Sequence, residues 1–506
     1  MGEYILAYDL GTTGLKTALF KDTGELESSV YLEYKTYYKH PKWAEQDPKE
    51  WWRAICISTR KVLGEARVDP EKIACISFSG QQMGLVPVTK KGNLSRKTTM
   101  IWTDSRADKQ AQLIQNKLGW QKFYSITARG EMLSQYPPAK IMWIRENEPS
   151  VFQKTYKFLQ IKDYIILRLT GEFVTDFSEA SDTGLFNIRK RRWSEKILEV
   201  TGITEEMLPM LHKSTDVVGQ ITEKASKEVS LKAGTPVVVG GGDSTCALTG
   251  AGLVKERECC VYIGSIMWAG IVTKKPLFDR EIRLSSYCHL ISGKYNSLLH
   301  LISGGIFYRW ARDNLCDSEI VAAEKKRVNV YGIMDSKASP VKAGADGLLF
   351  LPQLGLYENP ESPGTFVGLR LTHRKEHFLR SILEGVAYTA KRLVKLLEDR
   401  SGKSLKRIRM TGGGAKSKLW RQIMADVLGK DVMVPSSVQE SSALGAAMAG
   451  GVGTGIFKDF TEAKDSLETI DVRHPNMKAH KIYNKTYPVT RKIREILEPY
   501  VLRSSE

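Results

Sequence analysis

Two aspartates stand at the ends of apolar runs, each beside small residues that let backbone come close to a ligand. Asp9 lies in Asp9-Leu10-Gly11-Thr12-Thr13-Gly14, directly after Ile5-Leu6-Ala7-Tyr8. Glycines let N–H groups approach phosphate oxygens, the hydroxyls of Thr12 and Thr13 add donors, and a strand-end aspartate can hold a divalent cation through water. Asp243 follows Gly240-Gly241-Gly242, which ends the buried-strand pattern Pro236-Val237-Val238-Val239. A carboxylate so placed can act as a general base, accepting the proton of a hydroxyl whose oxygen attacks a phosphoryl group. An ordinary hairpin turn and a turn-capping aspartate fit the same residues. No Gly-Lys-Ser/Thr follows Gly11 to Gly14, so the Walker pattern is not met.

Thr411-Gly412-Gly413-Gly414-Ala415 falls between a strand pattern and a helix pattern, where small residues let an adenosine or its phosphates lie against backbone and a helix N-terminus. A flexible crossover loop is the competing reading. Ser79-Gly80-Gln81-Gln82-Met83-Gly84 and Ile101-Trp102-Thr103-Asp104-Ser105-Arg106 mix amides or a carboxylate with a thioether or an aromatic ring. Such mixtures suit polyols, and each stretch also suits a strand-end turn. Glu440 to Gly450 reads as a helix whose Ala, Ser and Gly content points to close helix packing. The 8 histidines form no H-E-x-x-H, and His373 and His377 read as surface residues near a helix start. A Gly-x-Ser-x-Gly nucleophile elbow is absent.

The elements that must hold these residues follow from periodicity. Ile5 to Leu10 and Leu15 to Phe20 read as strand, tight turn, strand, and Cys260 to Ile263, Gly264-Ser265 and Ile266 to Thr273 repeat the unit in the second half of the chain. Two similar halves are expected from this weak duplication. Asp47-Pro48-Lys49-Glu50 starts a helix that carries Trp51, Trp52, Ile55 and Leu63. Apolar positions from Phe378 to Leu397 recur at helical spacing, Arg407 to Thr411 reads as a strand, and Lys416 to Leu428 as a helix stopped by Gly429. The alternation predicts an α/β class, with a charged, helical tail after about Ile456.

Composition narrows the class without naming a partner. The chain has 506 residues, 75 Lys+Arg against 57 Asp+Glu and a formal net charge of +18. Its 42% hydrophobic content excludes wholesale disorder and a disulfide-stapled miniprotein. The charge suits nucleic acid, a membrane surface or anionic small molecules, but basic residues are scattered and Arg189-Lys190-Arg191-Arg192 reads as a solvated turn. A nucleic-acid partner and a membrane are therefore not expected. The 7 cysteines show no C-x-x-C spacing and sit mostly in apolar runs, so reduced thiols and a cytoplasmic location are expected.

Taken together, these stretches resemble the FGGY carbohydrate kinases, and among them the xylulokinases most closely. Gly364-Thr365-Phe366-Val367-Gly368-Leu369, with His377-Phe378-Leu379-Arg380-Ser381-Ile382-Leu383-Glu384 seven residues on, resembles the family's C-terminal signature. Pro137-Pro138-Ala139-Lys140-Ile141-Met142-Trp143-Ile144 is similar to the core of the N-terminal one. WAEQDP at Trp43 to Pro48, TDFSEASDTGLFNIRKRRWS at Thr175 to Ser194, and TGGGAKSKLWRQIMAD at Thr411 to Asp426 fall in family order.

The resemblance implies two ribonuclease-H-like (actin-like ATPase) domains flanking a central catalytic cleft. An N-terminal domain 1–245 would bind sugar and phosphate, a domain 246–450 nucleotide, and 451–506 would form a helical tail. ATP and Mg2+ are the implied cofactors, and a homodimer is one expectation for the assembly. Asp243 would be the catalytic base and Asp9 the metal ligand. Asp9, Thr12, Thr13, Gly264, Ser265, Gly413 and Gly414 would serve the nucleotide, and Gln82, Met83, Trp102 and Asp104 the sugar. The implied reaction is phosphorylation of a small-molecule sugar, a ketopentose such as D-xylulose giving xylulose 5-phosphate. Another ketose or polyol (ribulose, fuculose or a glycerol-like acceptor) and a non-catalytic sugar sensor are the alternatives. Three departures bear on sugar identity: Gln82-Met83 replaces Met-His, Gly264-Ser265-Ile266 replaces Gly-Thr-Ser, and Leu354 to Pro360 replaces a GERTPH-like loop.

Overall fold

The structure is a computed structural model that describes residues 3–301, 304–352, 364–435, 440–465 and 469–503, so the loop Leu354 to Pro360 lies outside the described residues. Two compact units form. The first takes Met1–Glu256, Val272–Ser297 and Gln439–Leu467, and the second Arg257–Ile271, Leu298–Val438 and Glu468–Glu506. This differs from contiguous domains ending at 245 and 450, because the helix Ser441–Gly453 belongs with the first unit.

In the first unit, Tyr4–Leu10 (β1), Gly14–Lys21 (β2), Leu26–Glu33 (β3), Ile73–Gly80 (β4), Val217–Gln220 (β5) and Pro236–Val238 (β6) are ordered β5-β6-β4-β1-β2-β3. β1 is parallel to β4 and antiparallel to β2, while β4 is parallel to β6. Strand period sorts the side chains of β1 between two cores. Leu6, Tyr8 and Leu10 pack with Trp51 and Ile55 of the helix Pro48–Ala66, whereas Ile5 and Ala7 pack with Ala443, Leu444 and Ala447 of Ser441–Gly453. Covering both faces explains why β1 reads as a continuous apolar run. The helix Pro48–Ala66 starts as its sequence predicts, with Asp47 accepting a hydrogen bond from Lys49 N at 2.9 Å.

A second sheet, most of it in the second unit, repeats this arrangement. Cys259–Ile263 (β7), Met267–Thr273 (β8), Tyr295–Leu301 (β9), Arg407–Thr411 (β10), Asp431–Pro435 (β11) and Thr469–Arg473 (β12) are ordered β9-β8-β7-β10-β11-β12. β7 is antiparallel to β8 and parallel to β10, β10 is parallel to β11, and β11 is antiparallel to β12. The hairpin Tyr4–Lys21 thus has its counterpart in Cys259–Thr273, as the duplication in the sequence predicts. Ser417 caps the helix Lys418–Leu428, and Gly429 ends it at φ 66°. The tail is not wholly helical: β12 closes an edge of the second sheet before the helix Met477–Arg503 begins. Tyr483 of that helix donates to Glu384 Oε1 at 2.7 Å and accepts from Arg380 at 2.8 Å, so the charged residues of the C-terminal signature hold the tail.

All 7 cysteines are buried and unbridged. The basic run Arg189 to Arg192 forms a hairpin turn, with Arg189 over the Phe278 ring and Arg191 over the Tyr295 ring.

The helix Asp243–Gly250, which begins with the candidate base, packs directly on Ser441–Gly453. A Cβ on Gly445 would lie 2.0 Å from the Cys246 carbonyl oxygen, a backbone atom that cannot swing aside. Overpacking of this kind costs about 1–3 kcal/mol. Gly445→Ala should therefore lower the melting temperature measurably, and an unchanged melting temperature would show that the two helices separate freely.

Candidate active site

The parallel pairing of β1 with β4 sets Asp9 opposite Ser79, whose hydroxyl donates to Asp9 Oδ1 at 2.7 Å. The turn from Gly11 to Thr13 follows at once and is propped from several sides. Gln46 Nε2 donates to Thr12 O at 2.7 Å, Gln81 Nε2 to Gly11 O at 3.1 Å, and Tyr34 OH also to Gly11 O. Thr13 Oγ1 lies 2.8 Å from Tyr31 OH. With their carbonyl side braced, Thr12 and Thr13 have no protein acceptor for their N–H groups among the described residues. Two unpaired amides beside glycine form an anion cradle. The role of WAEQDP emerges here: Gln46 supports the turn and Asp47 starts the helix behind it.

Asp243 is the first residue of the helix Asp243–Gly250 and is partly exposed. Gly240 has φ 68°, and a Cβ there would lie 1.9 Å from Phe78 O, so only glycine lets this segment pass β4 and carry Asp243 toward Asp9. Burial, then the charges of Asp9 and Asp182, pushes the Asp243 carboxyl up to about 7, opposed by a hydrogen bond from Ser244 N at 2.6 Å. Asp9 is itself raised, chiefly by burial, with Ser79 and Lys16 opposing. A carboxyl poised near neutrality has the affinity a general base needs.

Further ionisable groups surround Asp243. Asp182 pairs with Arg129 at 2.8 Å, and the Arg129 guanidinium lies 4.2 Å from the centre of the Tyr287 ring. Burial raises the Asp182 carboxyl to about 6 despite Arg129. Glu179 is 1% exposed, and neither carboxyl oxygen has a hydrogen-bond partner among the described residues. Burial holds it well above the usual range against the pull of Lys162, with Asp163, Asp176 and Asp243 adding to the rise. Ser178 links the buried Lys162–Asp176 pair to Gly242: its hydroxyl donates to Asp176 at 2.6 Å and accepts from Gly242 N at 3.0 Å. Sequence reasoning included Thr175 to Ser194 only as a motif. The single signal for these residues was the density of acids in TDFSEASD.

The four residues expected to meet sugar are not equally presented. Gln82 is buried, its Oε1 accepting from Ser244 Oγ at 2.7 Å and its Nε2 donating to Ser178 O at 3.4 Å. Its amide therefore holds the segment next to Asp243. Asp104 is 0% exposed and binds Arg106 and Ala44 N, and Arg106 continues to Glu45 at 2.7 Å. Its carboxylate is paired inside the protein, although the sequence reading expects it at the sugar. Trp102 is exposed, and its indole N–H donates to Thr12 Oγ1 at 2.8 Å. Met83 is half-buried in a left-handed conformation, φ 58°.

In the second unit, the counterpart turn borders a cavity of about 490 Å3. Gly264, Ser265, Gly413 and Gly414 line it, joined by Tyr308, Arg309, Tyr331 and Asp335. Arg309 donates to Ser265 Oγ, and Tyr308 OH donates to Asp335 Oδ1 at 2.9 Å. Glycine backbone, an arginine and stacked Tyr308 and Tyr331 rings, 5.8 Å apart, provide for phosphate and for a flat heterocycle. Tyr308, Arg309, Tyr331 and Asp335 lie on the helices Ile306–Leu315 and Val330–Ala338, which no sequence motif marks as ligand-bearing.

Among the described residues no three His, Cys, Asp or Glu side chains converge as a metal cage. Asp9 and Asp243 offer hard oxygen donors, and a divalent cation would relieve the repulsion between them. One or two carboxylates completed by phosphate and water is a set that Mg2+ commonly takes, so these residues fit that ion.

Residues 4–250 match the N-terminal domain, and 299–454 the C-terminal domain, of the FGGY family of carbohydrate kinases. The gluconokinase of Bacillus subtilis is 31% identical over 98% of this chain and 97% of its own length. A xylulose kinase of Staphylococcus epidermidis is 29% identical over 96% and 95%. The crystal structure of xylulose kinase from Rhodospirillum rubrum superposes with a TM-score of 0.89 at 25% identity, covering 99% of this chain and 100% of that one. The chain belongs to the FGGY family of carbohydrate kinases and has its two-domain actin-like ATPase fold. It is an ATP-using phosphotransferase acting on a sugar. No described helix is long and apolar enough to cross a membrane.

The raised Asp243 carboxyl predicts a pH dependence. A base must be deprotonated, so kcat/KM should fall about tenfold per pH unit on the acid side of an apparent pKa near 7. Asp182→Asn removes one charge that raises Asp243 and should move this limb to lower pH. A limb that stays in place would show that the Asp182 charge does not act on the titrating group.

Proposed function

We propose that the chain transfers the γ-phosphoryl group of Mg-ATP to a hydroxyl of a neutral ketose, with D-xylulose, giving xylulose 5-phosphate, as the leading acceptor. The observation that carries this reading is Asp243, partly exposed, its carboxyl raised to about 7 by burial and by the charge of Asp9, which itself precedes the turn of Thr12 and Thr13. As the hydroxyl oxygen of the sugar forms its bond to phosphorus, Asp243 takes the proton. Thr12 and Thr13 amides stabilise the charge on the transferring group, and positioning supplies most of the remaining acceleration. Asp9 would hold Mg2+, which neutralises phosphate charge when bound. Gly264, Ser265, Gly413 and Gly414 would hold the nucleotide.

The relatives do not choose between gluconate and xylulose, since the two kinds of kinase are about equally similar. Charge around the base supports a neutral acceptor. The charges of Asp9 and Asp182 both act on Asp243, and Arg129 is already paired with Asp182. An aldonate would bring a further carboxylate into this field. Ribulose, fuculose and glycerol are neutral and remain the alternatives to xylulose. A non-catalytic sensor is disfavoured by the presence of both Asp9 and Asp243. The buried, unbridged thiols support a cytoplasmic setting.

A coupled ADP-release assay across D-xylulose, D-ribulose, L-fuculose, glycerol and gluconate tests the reading, with D-xylulose expected to give the highest kcat/KM. Asp243→Ala should lower turnover by about 10²- to 10⁴-fold while nucleotide still binds. Near-normal turnover in that variant would remove Asp243 from the mechanism.

A further inference from the structure

Lys140 lies on the helix Pro137–Asn147 and is 0% exposed. Its Nζ donates to Met83 O at 2.9 Å and to Ile101 O at 2.7 Å. Among the described residues it has no ion pair. A buried ammonium without a carboxylate is unfavourable, and burial lowers Lys140 to about 7, with Asp104 opposing and Arg106 adding to the fall. A methionine of similar length would fill the space without this cost. The charged tip is therefore explained by what it binds, which is the backbone of two separate segments.

Each segment leads to a reacting part of the site. Met83 has φ 58°, a conformation that a non-glycine residue keeps only when its surroundings enforce it, and Lys140 grips its carbonyl. The residue before it, Gln82, binds Ser244 Oγ at 2.7 Å, directly beside Asp243. Ile101, the other carbonyl, precedes Trp102, whose indole N–H binds Thr12 Oγ1 at 2.8 Å. One ammonium group thus joins the segment that braces the base to the segment that braces the phosphate turn.

We propose that Lys140 is a positioning residue for phosphoryl transfer, holding Met83 and Ile101 so that Asp243 and the turn of Thr12 and Thr13 stay in register. The inference rests on the assignment of Asp243 and that turn to the reaction. Lys140 touches no reacting atom; it acts through Gln82–Ser244 on one side and Trp102–Thr12 on the other. A neutral amine keeps two N–H groups for the two carbonyls, so the clamp survives deprotonation among its charged neighbours Asp104 and Arg106.

The test uses the full chain with Lys140→Met, Trp102→Phe and the double variant. The coupled assay, run with the best sugar of the unsubstituted protein, gives kcat and both KM values. Misplacement of about 1 Å costs about 10²-fold in rate, so Lys140→Met should lower kcat by about that factor while KM for Mg-ATP stays near its normal value. Trp102→Phe should also lower kcat, and the double variant should be no slower than the slower single one, because both break the same chain of contacts. Losses that multiply, or a folded Lys140→Met with normal kcat, would overturn the proposal. If Lys140→Met fails to fold by circular dichroism, Trp102→Phe, at an exposed residue, decides alone: normal kcat overturns the clamp. An unsubstituted protein that releases ADP with no sugar would instead overturn the functional reading, as would a fully active Asp243→Ala.

Discussion

The parallel pairing of Tyr4–Leu10 with Ile73–Gly80 is the contact on which the chemistry of the first unit depends. It sets Asp9 against Ser79 and leaves Gly240 to slip past Phe78 O, where any side chain would collide. Strand ends in a parallel sheet open on one edge, and residues that leave the strands there can converge although they are far apart in sequence. Asp9 and Asp243 come within reach of each other's charge for this reason. Burial first, and then the charge of Asp9, raises the Asp243 carboxyl to about 7, so backbone register bears on side-chain chemistry.

Buried polar groups then transmit that register to the loops. Glu148, Arg96, Glu45, Arg106 and Asp104 form a chain of ion pairs, and Trp43 covers Arg106 with its ring centre 3.6 Å from the guanidinium. Burial would raise Glu45, but Arg96, Thr98 and Arg106 hold it at about 2. Breaking one member would leave an uncompensated charge inside, which makes such a network rigid rather than merely stabilising. Lys162, Asp163 and Asp176 do the same behind Gly242. The site is thus braced by buried charges paired with one another.

The second unit builds its cavity on a repeat of the same sheet with different helices. The Gly264 turn follows β7 as the Gly11 turn follows β1, and Gly413 follows β10. What differs is the surrounding side chains: two tyrosines and an arginine, with Asp335 as the carboxylate, line the second pocket. One topology therefore supports two kinds of pocket, distinguished by charge and by aromatic surface.

Much of this architecture is legible in the residues alone. Glycine with a hydroxyl residue after an apolar run, threonine in the first turn and serine in the second, marked both turns, Asp47 marked a helix start, and the spacing of Phe378 to Leu397 marked a long helix, because each signal is local and set by backbone sterics or period. Asp9 and Asp243 were likewise visible as strand-end acids, and the motif order pointed to the family. Tertiary structure alone decided that Gln82 and Asp104 turn their polar groups inward, that Glu179, Asp182 and Arg129 gather near the base, and that Tyr308 and Tyr331 line a cavity. The reason is that hydrogen-bond partners and desolvation depend on residues distant in sequence: Asp104 meets Ala44, Gln82 meets Ser244, and Lys140 meets Met83 and Ile101. A side chain's type is local, whereas its partner and its charge state are properties of the folded chain.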